Sequence, residues 1–360
     1  MSARTGTDRC PGALRPFRAD DGLIVRARVP GGRVPLTALR ALLDLGRDHG
    51  SELVQLTSRG NLQVRGLPDP LPADVVPRLA EAGLLPSLTH ERARNILASP
   101  LVPQLQALVA ELDERLCAEP ALAALPGRFL FALTGADGLL LTEPVDAAYQ
   151  LLGPEAGLLL VAGRGRPCPP REAAASMIEV ALSFLAHRGE EKVWNVTDLP
   201  EGSPVLDGLA PLSPARRAPL QPGPIGPDLV AGVPLGLLTR AHLDLLAQGC
   251  HEVAVTPWRS LVVPGAANAA QHLARGGLVT SPDQVWARLS ACPGLPHCAR
   301  SASDTIGLTR AAAPRLRADG PRVHVTGCER RCGHPQGEHV AVVAPGSVEE
   351  VVAAADRGSA

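Results

Sequence analysis

The chain has 360 residues, 45% of them hydrophobic, and a formal net charge of -1 at pH 7. That length allows two or three domains with ample core, and the near-neutral balance argues against a nucleic-acid binder held by a broad basic field. Aromatic residues make up only 2%, too few for stacking platforms on single-stranded nucleic acid.

The N-terminal run "MSARTGTDRCPGALRPF" lacks the apolar core of a signal peptide. Apolar runs such as "AGLLLVAG" are too short to span a bilayer. The chain therefore reads as cytoplasmic, with neither membrane nor nucleic acid as a partner. In that compartment the eight cysteines are expected as thiols or metal ligands.

Along the chain, "LTALRALLDLGRDHG" has helical spacing and opens on a Leu-Thr pair whose threonine is a candidate N-cap. From Gly50, "GSELVQLTSRGNLQVRGL" reads as strand, turn and strand. Both patterns return later, as "LTRAHLDLLAQG" and, from Gly249, as "GCHEVAVTPWRSLVVPGA". The second pair aligns without a gap, Thr57 on Thr256, Leu62 on Leu261, Val64 on Val263 and Gly66 on Gly265. "LAEAGLLPS" from Leu79 likewise matches "LARGGLVTS" from Leu273, and the same register brings Arg94 to Arg288 and Ala98 to Cys292. A period this long is a domain duplication and not a solenoid. Between the copies, "RFLFALTGADGLLL" and "ASMIEVALSFLAHRG" read as strands and helices that form scaffold and one cleft wall. "GRGRPCPP" at 163–170 reads as a solvated loop, and "PLSPARRAPLQPGPIGPD", residues 211–228, as a proline-rich linker.

Chemistry is concentrated near the C-terminus. Cys292 and Cys298 form a C-x5-C pair, and Cys328 and Cys332 a C-x3-C pair inside "TGCERRCGHPQG". A cubane iron–sulfur cluster needs one thiolate for each of four irons. Zinc is the metal alternative, although its structural sites favour tighter knuckles, and small buried apolar residues are the third reading. Cys10, Cys117, Cys168 and Cys250 are isolated and take that third reading.

C-x5-C followed by G-C-x3-C on a duplicated unit resembles the nitrite/sulfite reductase superfamily. "LTSRGNLQVRGL", "RARNILASP" at 92–100 and "LPGRF" at 125–129 extend the resemblance over most of the chain. It implies an α+β fold: two ferredoxin-like half-modules paired by a pseudo-twofold, with two α/β domains around a tetrapyrrole cleft. The expected boundaries are half-module 1 at 1–72, an α/β domain without cluster cysteines at 73–210 and the linker at 211–228. Half-module 2 at 229–272 and the cluster-bearing α/β domain at 273–360 complete the series. The resemblance further implies Cys292, Cys298, Cys328 and Cys332 as [4Fe-4S] ligands, with Cys332 in the position that bridges to sirohaem iron in the reductases.

Those reductases hold a small anion with cationic side chains. By motif Arg59 and Arg94 occupy two such positions and Arg128 a third, but Leu130 stands where a further lysine is expected. Loss of a charge and a proton donor weakens the case for multi-electron reduction of an oxyanion. A shorter branch, the precorrin-3B synthases, is the closer resemblance. It implies O2-dependent hydroxylation of precorrin-3A at C-20 with γ-lactone formation in aerobic cobalamin biosynthesis. The cofactors it implies are the cluster, a mononuclear non-haem iron and NADH as ultimate electron source, with sirohaem belonging only to the reductase alternative. No GxGxxG fingerprint follows a strand, so a separate electron-donor reductase is the expected partner.

Arg59, Arg94 and Arg128 are the candidates for binding the carboxylates of a precorrin, since guanidinium matches carboxylate bidentately and stays charged. Arg288 and Arg331 stand behind them. Asn61 and Gln63 are candidates for its edge, unless the turn breaks the strand alternation that would align them with Arg59. His334, His339, Glu338 and His297 are the local candidates for an oxygen-activating iron. A zinc-stabilised scaffold and a simple electron carrier are the readings outside this superfamily.

Overall fold

Leucines at three- and four-residue spacing put one helix face against a core. In the computed structural model Leu36–His49 is that helix, with Leu36, Leu39, Leu42, Leu43 and Leu45 buried. The structure describes residues 8, 10–189, 192–335 and 337–358; residues 1–7 and 9 of the N-terminal run read above lie outside them. The N-cap is Pro35 rather than Thr37, because the helix starts two residues earlier than a threonine cap would place it. Its counterpart Arg240–Leu246 does use the threonine: Thr239 Oγ1 accepts from the His242 amide at 3.2 Å.

The duplication is visible strand by strand. One five-stranded sheet runs Phe17–Ala19, Gly22–Ala27, Leu62–Leu67, Val54–Leu56 and Leu237–Leu238; the other runs Gly223–Ile225, Asp228–Gly232, Ser260–Val263, Glu252–Val255 and Arg33–Pro35. The last strand of each sheet comes from the other half. Val34 pairs with Val253, and Leu238 with Val54. Both sheets and their helices bury a common core that includes Leu39, Leu43, Leu62, Leu243 and Leu261.

The turns repeat as well. Thr57 Oγ1 accepts from the amides of Arg59 and Asn61, and Thr256 Oγ1 from those of Trp258 and Ser260. The left-handed position of each hairpin is Gly60 in one and Arg259 in the other. A further repeat emerges only in three dimensions: Val29-Pro30-Gly31-Gly32 and Val233-Pro234-Leu235-Gly236 form the same turn, with positive φ at 31, 32, 235 and 236.

Outside the paired sheets, Ile96–Ala98, Phe131–Thr134 and Ala147–Gly153 are parallel neighbours in a six-stranded sheet. Leu105–Ala118 and Pro170–His187 pack on it. Leu289–Ala291, Val323–Thr326 and Val340–Val343 repeat that order in parallel, with helices Thr305–Ala312 and Val348–Arg357 against them. Cys292 donates its amide to Val325 and Ser99 to Leu133, so Ser99 rather than Ala98 is the counterpart of Cys292.

The stretch 211–228 is not all connection. Gly223–Ile225 pairs with Asp228–Gly232 as the first hairpin of the second sheet, its prolines tolerated because Gly223–Ile225 is an edge strand. The common core also runs past 72 and 272, through Leu85 and Leu278.

Gly32 sits where the exchanged strand begins, at φ +76, and a Cβ there would lie 2.4 Å from the Val255 carbonyl oxygen. Gly83 has φ +72 and open space around it. Gly83→Ala should cost about 1–2 kcal/mol, the left-handed penalty alone. Gly32→Ala should cost clearly more, as urea unfolding midpoints of the two variants would show.

Candidate functional site

Alternation along Gly22–Ala27 and Leu62–Leu67 turns Arg26, Gln63 and Arg65 away from the core. Gln63 Oε1 accepts from Arg26 at 2.9 and 3.2 Å. Arg59 lies on the adjoining hairpin and donates to the Arg128 carbonyl, which also accepts from Asn195. The Arg128 guanidinium lies 4.9 Å from the centre of the Trp194 ring. Burial, then the charge of neighbouring arginines set against the Cys10 thiol, lowers the pKa of Arg26 and Arg59.

The arginine next along is the most costly. Arg28 is 2% exposed, and its Nε and both terminal nitrogens are buried without a hydrogen-bond partner. Burial pushes its pKa down to about 9, with Cys10 and Glu91 acting the other way and Arg26 and Arg92 adding to the fall. A guanidinium without an acceptor in the protein interior is strongly unfavourable. Its chemistry calls for an anion. Arg26 and Arg28 were missed in the sequence, where "IVRARVP" reads only as an alternating strand.

Of the sequence candidates, Arg59, Arg128 and Gln63 come together here. Arg94 does not join them: it is 4% exposed, and Asp113 takes both arms of its fork at 2.7 and 2.6 Å. Asn61 is 1% exposed, accepting from the Val29 amide and donating to Asn95. The turn breaks the alternation and points it inward. Leu130 is core, 1% exposed. Arg288 donates to the carbonyls of Pro321 and Arg317, and Arg331 pairs with Glu329.

The four paired cysteines gather at the ends of the parallel strands. Cys292 is buried, Cys298 and Cys328 are half-buried and Cys332 is exposed, all as free thiols. Burial first, and then the neighbouring thiols Cys292, Cys328 and Cys298, raise the pKa of Cys332, so the four sulfurs are close electrostatic neighbours. Cys292 Sγ accepts from the Gly327 amide at 3.3 Å, the kind of N–H···S contact that tunes a cluster potential. Among the described residues no three His, Cys, Asp or Glu side chains are arranged around a single ion. Four neighbouring thiols match in number and kind the four thiolates that a cubane cluster needs.

The first cysteine loop is clasped to the first sheet. Asp21 receives both arms of Arg65 at 2.7 and 2.8 Å and bonds His297 Nδ1 at 3.0 Å, while Arg65 also donates to the His297 carbonyl. Asp20 accepts from the Ala299 amide. These contacts join the thiols to the strands that carry the arginines. His297 is thereby engaged away from His334 and His339, whose rings stack 5.8 Å apart. His324, hidden in the strand "VHVT", lies 6.3 Å from His339 and bonds Ser290 Oγ through Nδ1 at 2.9 Å; burial pushes its pKa down to about 4. Among the described residues these histidines and Glu338 form no group of three that could hold a single metal ion.

The comparisons with known proteins agree with this architecture. The family model "Nitrite/Sulfite reductase ferredoxin-like half domain" matches residues 15–82. Precorrin-3B synthase of a Sinorhizobium species is 24% identical, over 97% of this chain and 83% of that protein. Sulfite reductase [ferredoxin] 2 of Mycolicibacterium paratuberculosis is also 24% identical, over 87% of this chain and 68% of its own length. Among solved structures, the NirA protein of Mycobacterium tuberculosis superposes with a TM-score of 0.63 at 20% identity, covering 85% of this chain and 68% of its own. The chain thus has the nitrite/sulfite reductase fold, resembles precorrin-3B synthase and is similar to oxidoreductase-type enzymes. No helix among the described residues is long and apolar enough to cross a membrane.

Two outcomes follow. Arg28→Met should stabilise the ligand-free protein by about 1 kcal/mol or more while weakening ligand binding at the arginine cluster, which paired denaturation and binding titrations would show. Asp146 accepts from the Val196 and Leu130 amides and from Asn195, yet burial prevails and raises it to about 6. The folded pKa lies above the unfolded value of 3.8, so the folded state holds the extra proton between these values. Stability should therefore fall as pH rises from about 4 to 6 and level off above; Asp146→Asn should flatten that slope in urea midpoints.

Proposed function

We propose that this chain is a precorrin-3B synthase, an oxidoreductase hydroxylating precorrin-3A at C-20 with O2 and closing a γ-lactone. The observation that carries the reading is the unpartnered, buried guanidinium of Arg28 beside Arg26, which in turn neighbours Arg59 and Arg128. A precorrin brings many acetate and propionate carboxylates on a largely apolar macrocycle. Its carboxylates would supply the missing acceptors, and Gln63 would bond its edge. Trp194 holds Arg128 from behind, so that this cation is presented at low conformational cost. The match to a curated precorrin-3B synthase over 97% of the chain supports the same substrate.

In this reading Cys292, Cys298, Cys328 and Cys332 hold a [4Fe-4S] cluster. When bound, that cluster supplies single-electron transfer; NADH is the ultimate source, through a separate reductase in the cytoplasm. The chain's own part is to orient the macrocycle through its carboxylates and, through the Asp21–Arg65–His297 clasp, to hold the first cysteine loop against the arginine-bearing sheet. No step is assigned to a mononuclear iron.

The sulfite reductase relative and the NirA fold favour a second reading, a sirohaem-dependent reductase. Against it stands Leu130. Its side chain is packed with Ala132, Leu140 and Ala148, so this position offers no cation to an anion in the cleft. Protein purified without oxygen decides between them. A broad iron–sulfur absorbance, no extractable sirohaem and turnover of precorrin-3A are expected; a sharp haem-type band with extractable sirohaem would overturn the assignment. Cys298→Ser should lose most of the iron and sulfide, measured on the same preparation. Leu130→Lys should confer no sulfite reduction and cost several kcal/mol of stability, because it buries a charge in apolar core.

A further inference from the structure

The two halves differ most where their equivalent clefts lie. Arg28 directly precedes the turn Val29-Pro30-Gly31-Gly32 and Gly232 the matching turn Val233-Pro234-Leu235-Gly236, so Gly232 is the counterpart of Arg28. In the paired hairpins Trp258 takes the place of Arg59 and Arg259 that of Gly60. In the second half, Gly232 lies on the lining of a cavity of about 480 Å3, within the ordinary range for small-molecule sites.

The lining has a definite chemistry. Trp258 and Trp286 provide two aromatic walls, and Arg259, Arg288 and Arg322 provide cations. Glu143, also on the lining, accepts from Trp258 Nε1 at 2.8 Å and fixes that indole. Arg259 holds φ +57, a conformation that suits glycine, and donates to the Gly333 carbonyl at 3.2 Å. That strain sets its guanidinium against the loop that carries Cys332. Arg288 keeps a buried Nε without a partner. Gly333, His334 and Pro335, directly after Cys332, form the remaining wall.

We propose that this second cleft binds a ligand of mononucleotide size, a planar heteroaromatic ring bearing a phosphate. The ring stacks on the indoles, and the phosphate is held by Arg259 and its neighbouring arginines. Aromatic faces and a guanidinium fork are the side chains that recognise this combination. Binding here does not depend on which ligand fills the first cleft, so the proposal stands or falls apart from the precorrin reading.

The chain has three tryptophans, and two of them line the cavity, so tryptophan fluorescence reports occupancy directly. Anaerobically purified protein would be titrated with flavin mononucleotide, adenosine monophosphate and inorganic phosphate, with calorimetry as the second readout. Saturable binding of at least one nucleotide is expected, about tenfold weaker in Arg259→Gly and in Trp286→Leu, with inorganic phosphate far weaker than either. Binding of flavin mononucleotide alone would assign a flavin site, and binding of both a general nucleotide site. Arg259→Gly installs the residue that the first hairpin carries at this place, so it relieves backbone strain and keeps the test independent of misfolding. No saturation at millimolar nucleotide would overturn the proposal. So would undiminished affinity in both variants, or a loss of affinity in Arg59→Ala instead, which would place the ligand in the first cleft.

Discussion

The exchange of edge strands governs the rest of the molecule. Arg33–Pro35 closes the second sheet and Leu237–Leu238 closes the first, so neither sheet has its full ladder without the other half. An open edge is a site for unwanted pairing, and here each half covers the other's. The same strands lead out of the two Val-Pro turns, and the Gly31 amide of the first donates to Ile96 in the adjoining α/β domain. Both outer domains are thus positioned from the exchange outward. Such an exchange is what a single-copy ancestor would make as a swapped dimer, before the two copies were joined through residues 212–222.

Joining the copies let them diverge. One half gathers cations at a cost to its own stability, with Arg28 buried and unpaired and Arg26 and Arg59 depressed by burial. The other half carries the thiols and replaces two of the corresponding positions with Gly232 and Trp258. Charge that the fold does not neutralise is tolerated where a ligand will meet it, so under the proposed function the arginine cluster trades stability for recognition.

Much of this was legible in the sequence. The Thr57 and Thr256 hairpins aligned because threonine fixes both turns by the same two amide bonds, and the cysteine spacing matched a known pattern. The Val-Pro repeat escaped because Leu235 adopts a conformation that suggests glycine, so the residues differ where the backbone agrees. Arg94 read as a ligand because its partner Asp113 lies 19 residues on, across a strand–helix packing that no local pattern reveals. Arg28 and His324 were invisible for a related reason: alternation tells which face a strand residue takes, but not what later covers that face.

The clasp between Asp20, Asp21, Arg65 and the loop of Cys298 bears on how a metal centre would be built. Small zinc domains remain unfolded until metal supplies the energy to order their ligands. Here the loop is ordered by carboxylates and a guanidinium from a different part of the chain, and Cys292 is fixed by the parallel strands. The conformational entropy of bringing the first two thiols together is therefore met by the protein fold. Under the proposed function, maturation would be insertion into a largely finished receptacle, with Cys332 the exposed one of the four thiols.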